Sequence, residues 1–151
     1  MNDIVTIALK EIDTKEIPPN SNMTKYGKWF GVNGVPWCGI FVSFCYAMAN
    51  KALGNIGYSR GYAGCSTMYV YASGKGWITD KPVAGDIILY SWKKNKVFDH
   101  TGIFIEMLPN GFVSAIEGNT SVGNESDGGQ VMKRIRDIGT CTFIHPPQNI
   151  N

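Results

Sequence analysis

Cys38 is the residue of this sequence best placed to act as a nucleophile. It lies at the start of residues 37–51, an apolar run typical of a helix that is buried on nearly every face. A thiol in the first turn of such a helix feels the positive end of the helix dipole and the unpaired N–H groups there, and both lower its pKa toward the reactive thiolate. Cys45, Cys65 and Cys141 have no such setting, and we interpret them as packing residues.

A cysteine nucleophile needs a base, and the sequence contains two histidines, His100 and His145. His145 precedes two prolines near the end of the sequence, where a surface position is expected, so we assign the base to His100. A β-prone run follows His100 and ends at the turn signal Pro-Asn-Gly of residues 109–111, and a second β-prone run reaches Glu117. This pattern predicts a β-hairpin with His100 at one end.

The register of this hairpin decides which side chains meet the base. We predict that the hairpin closes with Leu108 opposite Gly111. His100 then lies opposite Asn119 and Gly102 lies opposite Glu117, so Glu117 projects from the same face as His100 at a diagonal position. A loop of three or five residues would break this parity.

Together these residues suit nucleophilic catalysis. His100 takes the thiol proton, while Glu117 or Asn119 accepts a hydrogen bond from the other ring nitrogen and fixes the tautomer. The backbone N–H of Cys38, at the helix start, is available as one oxyanion donor.

The elements around these residues predict an α+β domain. Apolar residues at helical spacing predict a short amphipathic helix over residues 3–16, and residues 67–73 predict a second, weaker helix. The Pro-, Asn- and Gly-rich residues 17–36 indicate an irregular loop. Short β-prone runs separated by turn residues predict an antiparallel sheet from residues 86–91, 102–108, 112–117, 130–137 and 140–145.

Composition and charge exclude several classes of protein. A chain of 151 residues with 44% hydrophobic and 17% charged residues fits one globular domain and excludes disorder. A net charge of +2, with no basic run longer than Lys93-Lys94, argues against nucleic-acid binding. No apolar run reaches about 18 residues, so we expect no membrane insertion. The cysteines form no CxxC or CxxH pair, so we expect no zinc, no other metal and no cofactor.

Four short blocks stand in order along the chain: Pro-Trp-Cys-Gly at residues 36–39, Ala-Gly-Asp at 84–86, Asp-His-Thr-Gly at 99–102 and Ile-Glu-Gly-Asn-Thr at 116–120. Together they resemble the CHAP domain, the cysteine, histidine-dependent amidohydrolase/peptidase family. The resemblance implies a papain-like (NlpC/P60-like) α+β fold in which a central helix presents the nucleophile to an antiparallel sheet. Many lysins also append a wall-binding domain, but a chain of 151 residues has no room for one. We therefore expect one catalytic domain over residues 1–151, with no separate cell-wall-binding domain.

The resemblance implies roles for four residues: Cys38 as nucleophile, His100 as general base and acid, Glu117 as the residue that orients His100, and Asn119 as an auxiliary polar group. The implied reaction is hydrolysis of an amide bond in bacterial peptidoglycan, as in phage endolysins. Several family members carry an acidic calcium-binding loop before the nucleophile. Residues 20–36 contain no Asp or Glu, so we carry over no calcium site.

The substrate and the setting of the protein lead to further expectations. Tyr26 and Trp37 precede the nucleophile, and we predict that they line a groove for the glycan or stem peptide of peptidoglycan. The first residues lack the basic and apolar regions of a signal peptide. We therefore expect a monomer that stays in the host bacterial cytoplasm until its release to the cell wall, or that is carried in the virion.

Two other functions stay open at this point: a virion component whose main role is structural, and a catalytically silent cell-wall-binding module. The bond cleaved also stays open. An N-acetylmuramoyl-L-alanine amidase and an endopeptidase acting within stem or bridge peptides attack the same kind of carbonyl, so the sequence does not distinguish them.

Overall fold

The computed structural model describes residues 2–150, in which helices come first and strands follow. The helices are α1 Asp3–Lys10, α2 Lys25–Phe30, α3 Cys38–Met48 and α4 Cys65–Lys75. The strands are β1 Ile78–Thr79, β2 Ile87–Tyr90, β3 His100–Leu108, β4 Phe112–Thr120, β5 Gln130–Asp137 and β6 Cys141–Ile144. They form one antiparallel sheet in the order β1-β6-β2-β3-β4-β5. This α+β architecture confirms the predicted fold class.

The central helix α3 is the element around which the core is built. Eight of its 11 residues are buried, and it packs against α1, α2, β3 and β4. Such a helix needs apolar residues on nearly every face, which residues 37–51 supply. The opposite face of the sheet carries a second, smaller apolar cluster that includes Ile88, Tyr90 and Phe104. None of the helices in residues 2–150 has both the length and the apolar character needed to cross a bilayer.

The N-terminal region departs from the prediction in two places. Helix α1 ends at Lys10 rather than near residue 16, because the chain turns at Asp13, whose φ is 74°, and then pairs with the sheet. The loop predicted over residues 17–36 contains α2. The hydroxyl of Thr24 caps this helix by accepting the N–H of Gly27 at 3.0 Å, and Gly31 ends it with a φ of 90°.

The hairpin of β3 and β4 closes differently from the prediction. Leu108 pairs with Phe112 across a three-residue turn, Pro109–Gly111, rather than with Gly111. That turn alone would move every paired position by one residue. However, Ile105 is an extra residue in β3, and this β-bulge restores the predicted register beyond it.

The restored register brings Gly102 beside Glu117, as predicted. A Cβ built on Gly102 would lie 2.7 Å from Cγ of Glu117, so only glycine leaves room for this carboxylate side chain. The predicted place of Glu117 beside Gly102 was therefore met through two irregularities that offset each other.

Candidate active site

Cys38 is the first residue of α3, where a helix leaves its N–H groups without intrahelical partners. Trp37, the N-cap residue, makes no side-chain hydrogen bond to this turn. The backbone N–H of Gly39, in the same turn, helps to lower the pKa of the Cys38 thiol. A Cβ built on Gly39 would lie 2.9 Å from the carbonyl oxygen of Ala63 and 2.9 Å from the ring of Tyr62. Glycine therefore lets the segment before α4 pack directly on the turn that holds the thiol.

His100, the first residue of β3, is fully buried beside this thiol. Its Nε2 lies 2.8 Å from Oε1 of Glu117. Its Nδ1 has no hydrogen-bond partner among residues 2–150, and the nearby Cys38 thiol shifts the pKa of this ring. Because Glu117 accepts the Nε2 proton, Nδ1 is the nitrogen left to exchange a proton with Cys38.

The pKa values of Cys38 and His100 are shifted in opposite directions. A hydrogen bond from the Cys65 thiol, together with the interaction with His100, outweighs burial and lowers the pKa of Cys38 well below its usual value. Burial alone would lower the pKa of His100, but the hydrogen bonds and charges of Cys38 and Glu117 raise it to about 9. The two groups therefore form a thiolate–imidazolium pair at neutral pH.

Cys65 contributes to this site, which the sequence interpretation missed. It is the first residue of α4 and is buried, as a packing residue would be, but its thiol also interacts with that of Cys38 and shifts its pKa. The interaction with Cys38, burial and the charge of Asp99 raise the pKa of Cys65. Cys65 therefore stays protonated, and its S–H is the donor toward the Cys38 thiolate. The sequence contained a signal for this role. Gly64 and Cys65 stand just before the helix predicted over residues 67–73, so Cys65, like Cys38, lies near the start of a predicted helix.

Glu117 is fully buried between His100 and Arg136, a residue of β5. Nε of Arg136 donates to Oε2 at 2.9 Å, and Nη2 donates to Oε1 at 2.5 Å. Burial raises the pKa of Glu117, but the hydrogen bonds from Arg136 and His100 outweigh it and lower the pKa to about 2. Glu117 is therefore a carboxylate that only accepts, which fixes the tautomer of neutral His100 with its proton on Nε2. Sequence reasoning did not identify Arg136, since its place depends on how β4 and β5 pair.

Two aromatic rings cover the imidazole. Tyr90 and Trp92 stack with His100 at centroid distances of 5.7 and 6.0 Å. Nε1 of Trp92 donates to the hydroxyl of Ser126 at 2.8 Å, which ties this ring to the loop between β4 and β5. This apolar cover restricts rotation of the imidazole and strengthens its hydrogen bond to Glu117.

The side chain of Asn119 bonds to the loop between β4 and β5 rather than to His100. After Glu117, β4 has one extra residue in its pairing with β5, and Asn119 takes a left-handed backbone conformation with a φ of 59°. This bulge breaks the alternation that places Asn119 and Glu117 on one face in the sequence prediction. Oδ1 of Asn119 accepts the N–H of Gly129 at 3.1 Å, and its Nδ2 donates to Asp127 at 3.3 Å.

Tyr26 and Trp37 do not line a substrate groove, and that prediction is wrong. Both side chains are 0% exposed, and their rings stack at a centroid distance of 5.5 Å. Nε1 of Trp37 donates to Oε2 of Glu16 at 3.0 Å, so its polar atom is satisfied inside the protein. Tyr26 lies on α2 and Trp37 directly precedes the central helix α3, and both side chains are part of the main core cluster.

A buried thiolate at a helix N-terminus, an imidazole on the neighbouring sheet and a carboxylate behind the imidazole are features of a cysteine hydrolase with a papain-like fold. The family model of the CHAP domain matches residues 30–119, more than half of the chain. The chain therefore belongs to the CHAP family, whose members are cysteine- and histidine-dependent amidohydrolases and peptidases, and the predicted family is confirmed. No curated protein sequence matches the chain.

The matched region spans Cys38, His100, Glu117 and Asn119 but ends before Arg136. Among residues 2–150, no three His, Cys, Asp or Glu side chains lie close enough together to hold a metal ion.

Proposed function

We propose that this chain is a peptidoglycan hydrolase that cleaves an amide bond through a thioester intermediate, with Cys38, His100 and Glu117 as its catalytic groups. The observation that carries the proposal is the buried His100 ring. One of its nitrogens is held by Glu117 at 2.8 Å, and the other is left for the thiol of Cys38. A core histidine with only a packing role would not need a buried carboxylate and a thiolate on either side.

In the first half of the reaction, the Cys38 thiolate attacks the carbonyl carbon of the substrate amide. A C–S bond forms, and the electron pair of the C=O bond moves to oxygen, where the unpaired N–H of Cys38 at the start of α3 donates to the oxyanion. As the oxyanion collapses, the imidazolium of His100 gives its Nδ1 proton to the amide nitrogen. The C–N bond then breaks, and the amine leaves.

In the second half, neutral His100 acts as a base. Its Nδ1 takes a proton from water, the hydroxide oxygen attacks the thioester carbon, and the C–S bond breaks to release the carboxylic acid. Cys38 leaves as a thiolate and His100 holds the proton, so the starting pair is restored. Glu117 keeps the Nε2 proton directed toward itself throughout, and the charge of its carboxylate stabilises each imidazolium state.

The setting proposed for this activity is that of a phage endolysin acting as a monomer. Such a protein would stay in the host bacterial cytoplasm until it reaches the cell wall, and delivery in a virion is the alternative route. Asn119 enters this proposal as a residue that holds the β4–β5 loop next to the site, through its hydrogen bonds to Asp127 and Gly129.

Lysis of purified cell walls from several bacteria tests this function, with wild type, Cys38→Ala and Cys141→Ala compared. Cys141 is half-buried on β6 and serves as the matched control. We expect lysis to be lost in Cys38→Ala alone. Mass spectrometry of the products then names the bond, since an amidase releases the amino terminus of L-alanine and an endopeptidase releases termini within the peptides. Wild-type protein that sediments with every wall and cleaves none would overturn the proposal in favour of a binding module.

A further inference from the structure

The contacts of Arg136 converge on the carboxylate of Glu117. Its guanidinium binds both carboxylate oxygens, at 2.9 and 2.5 Å, and lies 5.6 and 4.9 Å from the ring centroids of Tyr90 and Trp92. Its remaining terminal nitrogen, Nη1, donates to Oε1 of Glu125 at 2.8 Å. The side chain is 8% exposed. Arg136 is therefore held by two neighbouring aromatic rings and along its donor edge, with little freedom to move.

One oxygen of Glu117 is shared between the base and the guanidinium. Oε1 accepts from Nε2 of His100 at 2.8 Å and from Nη2 of Arg136 at 2.5 Å. A glutamate side chain has three torsions, and its terminal torsion is broad when nothing fixes it. The planar fork of an arginine binds a carboxylate at two points and removes this rotation. The direction in which Glu117 meets His100 is therefore set from β5.

We propose that Arg136 is a positioning residue for the hydrolysis, which fixes the Glu117 carboxylate so that Glu117 keeps Nδ1 of His100 directed at Cys38. The inference rests on the proposed function and adds a residue beyond 30–119, the part of the chain that the family model matches. Arg136 acts through Glu117 and not on the reacting atoms.

Arg134 provides a matched control on the same strand. It precedes Arg136 by two residues and also carries a guanidinium into this region, where it donates to Thr120 at 2.8 Å and pairs with Glu125. Its hydrogen bonds do not include Glu117. Removal of Arg134 therefore changes the charge and the loop contacts of this region while the clamp on Glu117 stays in place.

Further titratable groups face the pair of Glu117 and Arg136 from the neighbouring elements: Tyr90 of β2, His100 of β3, Cys141 of β6 and Glu125 of the β4–β5 loop. Burial raises the pKa of Tyr90 and raises that of Cys141 to about 12, so both stay neutral up to about pH 9. Glu125 contacts both arginines, so the Arg134 control accounts for its titration.

The test measures the rate at which iodoacetamide alkylates Cys38 from about pH 4 to about pH 10, resolved by mass spectrometry of the Cys38 peptide. Without the clamp, the pKa of Glu117 rises, its protonated form no longer supports the imidazolium, and the thiolate forms only at higher pH. The acid limb of the alkylation profile is the pH range over which Cys38 becomes a thiolate. In Arg136→Met, we expect this limb to move to higher pH and the alkylation rate at pH 6 to fall about 10-fold or more. Arg136→Lys keeps the charge but not the fork and should give an intermediate profile, and Arg134→Met should give the wild-type profile.

A double-mutant cycle covers the case in which Arg136→Met does not fold. Glu117→Gln combined with Arg136→Met removes both charges and leaves no unpaired buried carboxylate. If Arg136 acts only through Glu117, this double variant has the alkylation profile of Glu117→Gln alone. A further loss in the double variant would show that Arg136 acts directly and would overturn the proposal.

Two other results would also overturn it: a folded Arg136→Met variant with the wild-type profile, or an equal shift in Arg134→Met. Alkylation requires no peptidoglycan, so failure of the chain to cleave cell walls leaves this readout intact. Conversely, cell-wall cleavage with an unshifted Arg136→Met profile would remove the positioning role and leave the proposed function standing.

Discussion

The first turns of α3 and α4 are alike in sequence position but differ in chemistry. Each helix has 11 residues, begins with a cysteine and has no side-chain hydrogen bond at its N-cap. Cys38 is 6% exposed and Cys65 is 9% exposed. Yet the pKa of Cys38 is lowered well below its usual value, while that of Cys65 is raised well above it. A helix N-terminus and burial therefore do not by themselves make a reactive thiol.

The difference arises from what faces each thiol. Cys38 faces His100 and receives the hydrogen bond of Cys65, both of which favour the thiolate. Cys65 faces the negatively charged Cys38 thiolate, and the charge of Asp99 also disfavours ionisation of Cys65. A second negative charge next to the first is costly in a buried site, so one of the two thiols keeps its proton.

Removal of His100 should remove much of the difference in pKa between Cys38 and Cys65, leaving the part that the interaction between the two thiols contributes. In His100→Ala, we expect Cys38 alkylation at pH 7 to fall roughly 30-fold, because a thiol of ordinary pKa is only a few per cent ionised there. Hydrolysis should fall further, by roughly 10²- to 10⁴-fold, because the general acid is lost as well. His145→Ala is the control, since that half-exposed histidine pairs with Asp86 away from the thiols. Unchanged Cys38 alkylation in His100→Ala would contradict this explanation.

Substitution of Glu117 should reduce the difference in pKa between Cys38 and Cys65 without removing it. Glu117→Gln keeps an oxygen that accepts from Nε2 but loses the charge that raises the pKa of His100. We expect hydrolysis to fall about 10- to 100-fold, less than in Cys38→Ala, and the alkaline limb of the pH profile to move to lower pH. Steady-state rates of cell-wall hydrolysis across pH provide the measurement. A loss as complete as that of Cys38→Ala would mean that Glu117 takes a more direct part in the reaction.

The pH profile of hydrolysis by the wild-type protein should reflect the shifted pKa values of Cys38 and His100. Because the pKa of His100 is raised from 6.5 to about 9, its imidazolium persists through neutral pH and loses its proton only near pH 9. We expect hydrolysis to decline with a midpoint near there, since neutral His100 cannot protonate the leaving amine. The acid limb should lie well below the usual range of a thiol. An alkaline limb centred near the ordinary histidine pKa would show that the pair is not formed.

The smallest effect should follow from the hydrogen bond between the two thiols. Cys65→Ala removes the donor to the thiolate, so the acid limb for Cys38 should move up by about one pH unit, the size expected for a hydrogen bond to a charged group. The rate at the optimum should change less than about 10-fold. Cys65→Ser keeps a hydroxyl donor and should restore the wild-type acid limb. If Ser and Ala shift the limb equally, the hydrogen bond does not tune Cys38.

The sequence predicted the parts of the site that depend on residue type and strand alternation. The thiol at a helix start, the single well-placed histidine and a carboxylate beside Gly102 all follow from spacing. The three-residue turn was not predicted, nor was the extra residue Ile105, because an isoleucine in the bulge looks like any other strand residue. Two departures from regular structure offset each other there, which no local pattern reveals.

The remaining differences come from tertiary structure. Asn119 leaves the face of Glu117 because of a second bulge, which shows in the pairing with β5 rather than in β4 itself. Arg136 reaches the site across that same pair of strands. Trp37 is buried against Tyr26 and Glu16, although aromatic residues before a nucleophile also suit a binding groove. Such contacts depend on strand pairing and packing between segments distant in sequence.

The most direct test of the central claim is the alkylation of Cys38 and Cys65 in one sample of wild-type protein, followed for each peptide across pH at low extents of modification. The two thiols have similar exposure, so their relative rates report ionisation rather than access. We expect Cys38 to react fast from well below the pH at which ordinary thiols ionise, while Cys65 stays slow. Equal rates, or a faster Cys65, would contradict the assignment of Cys38 as the nucleophile activated by His100.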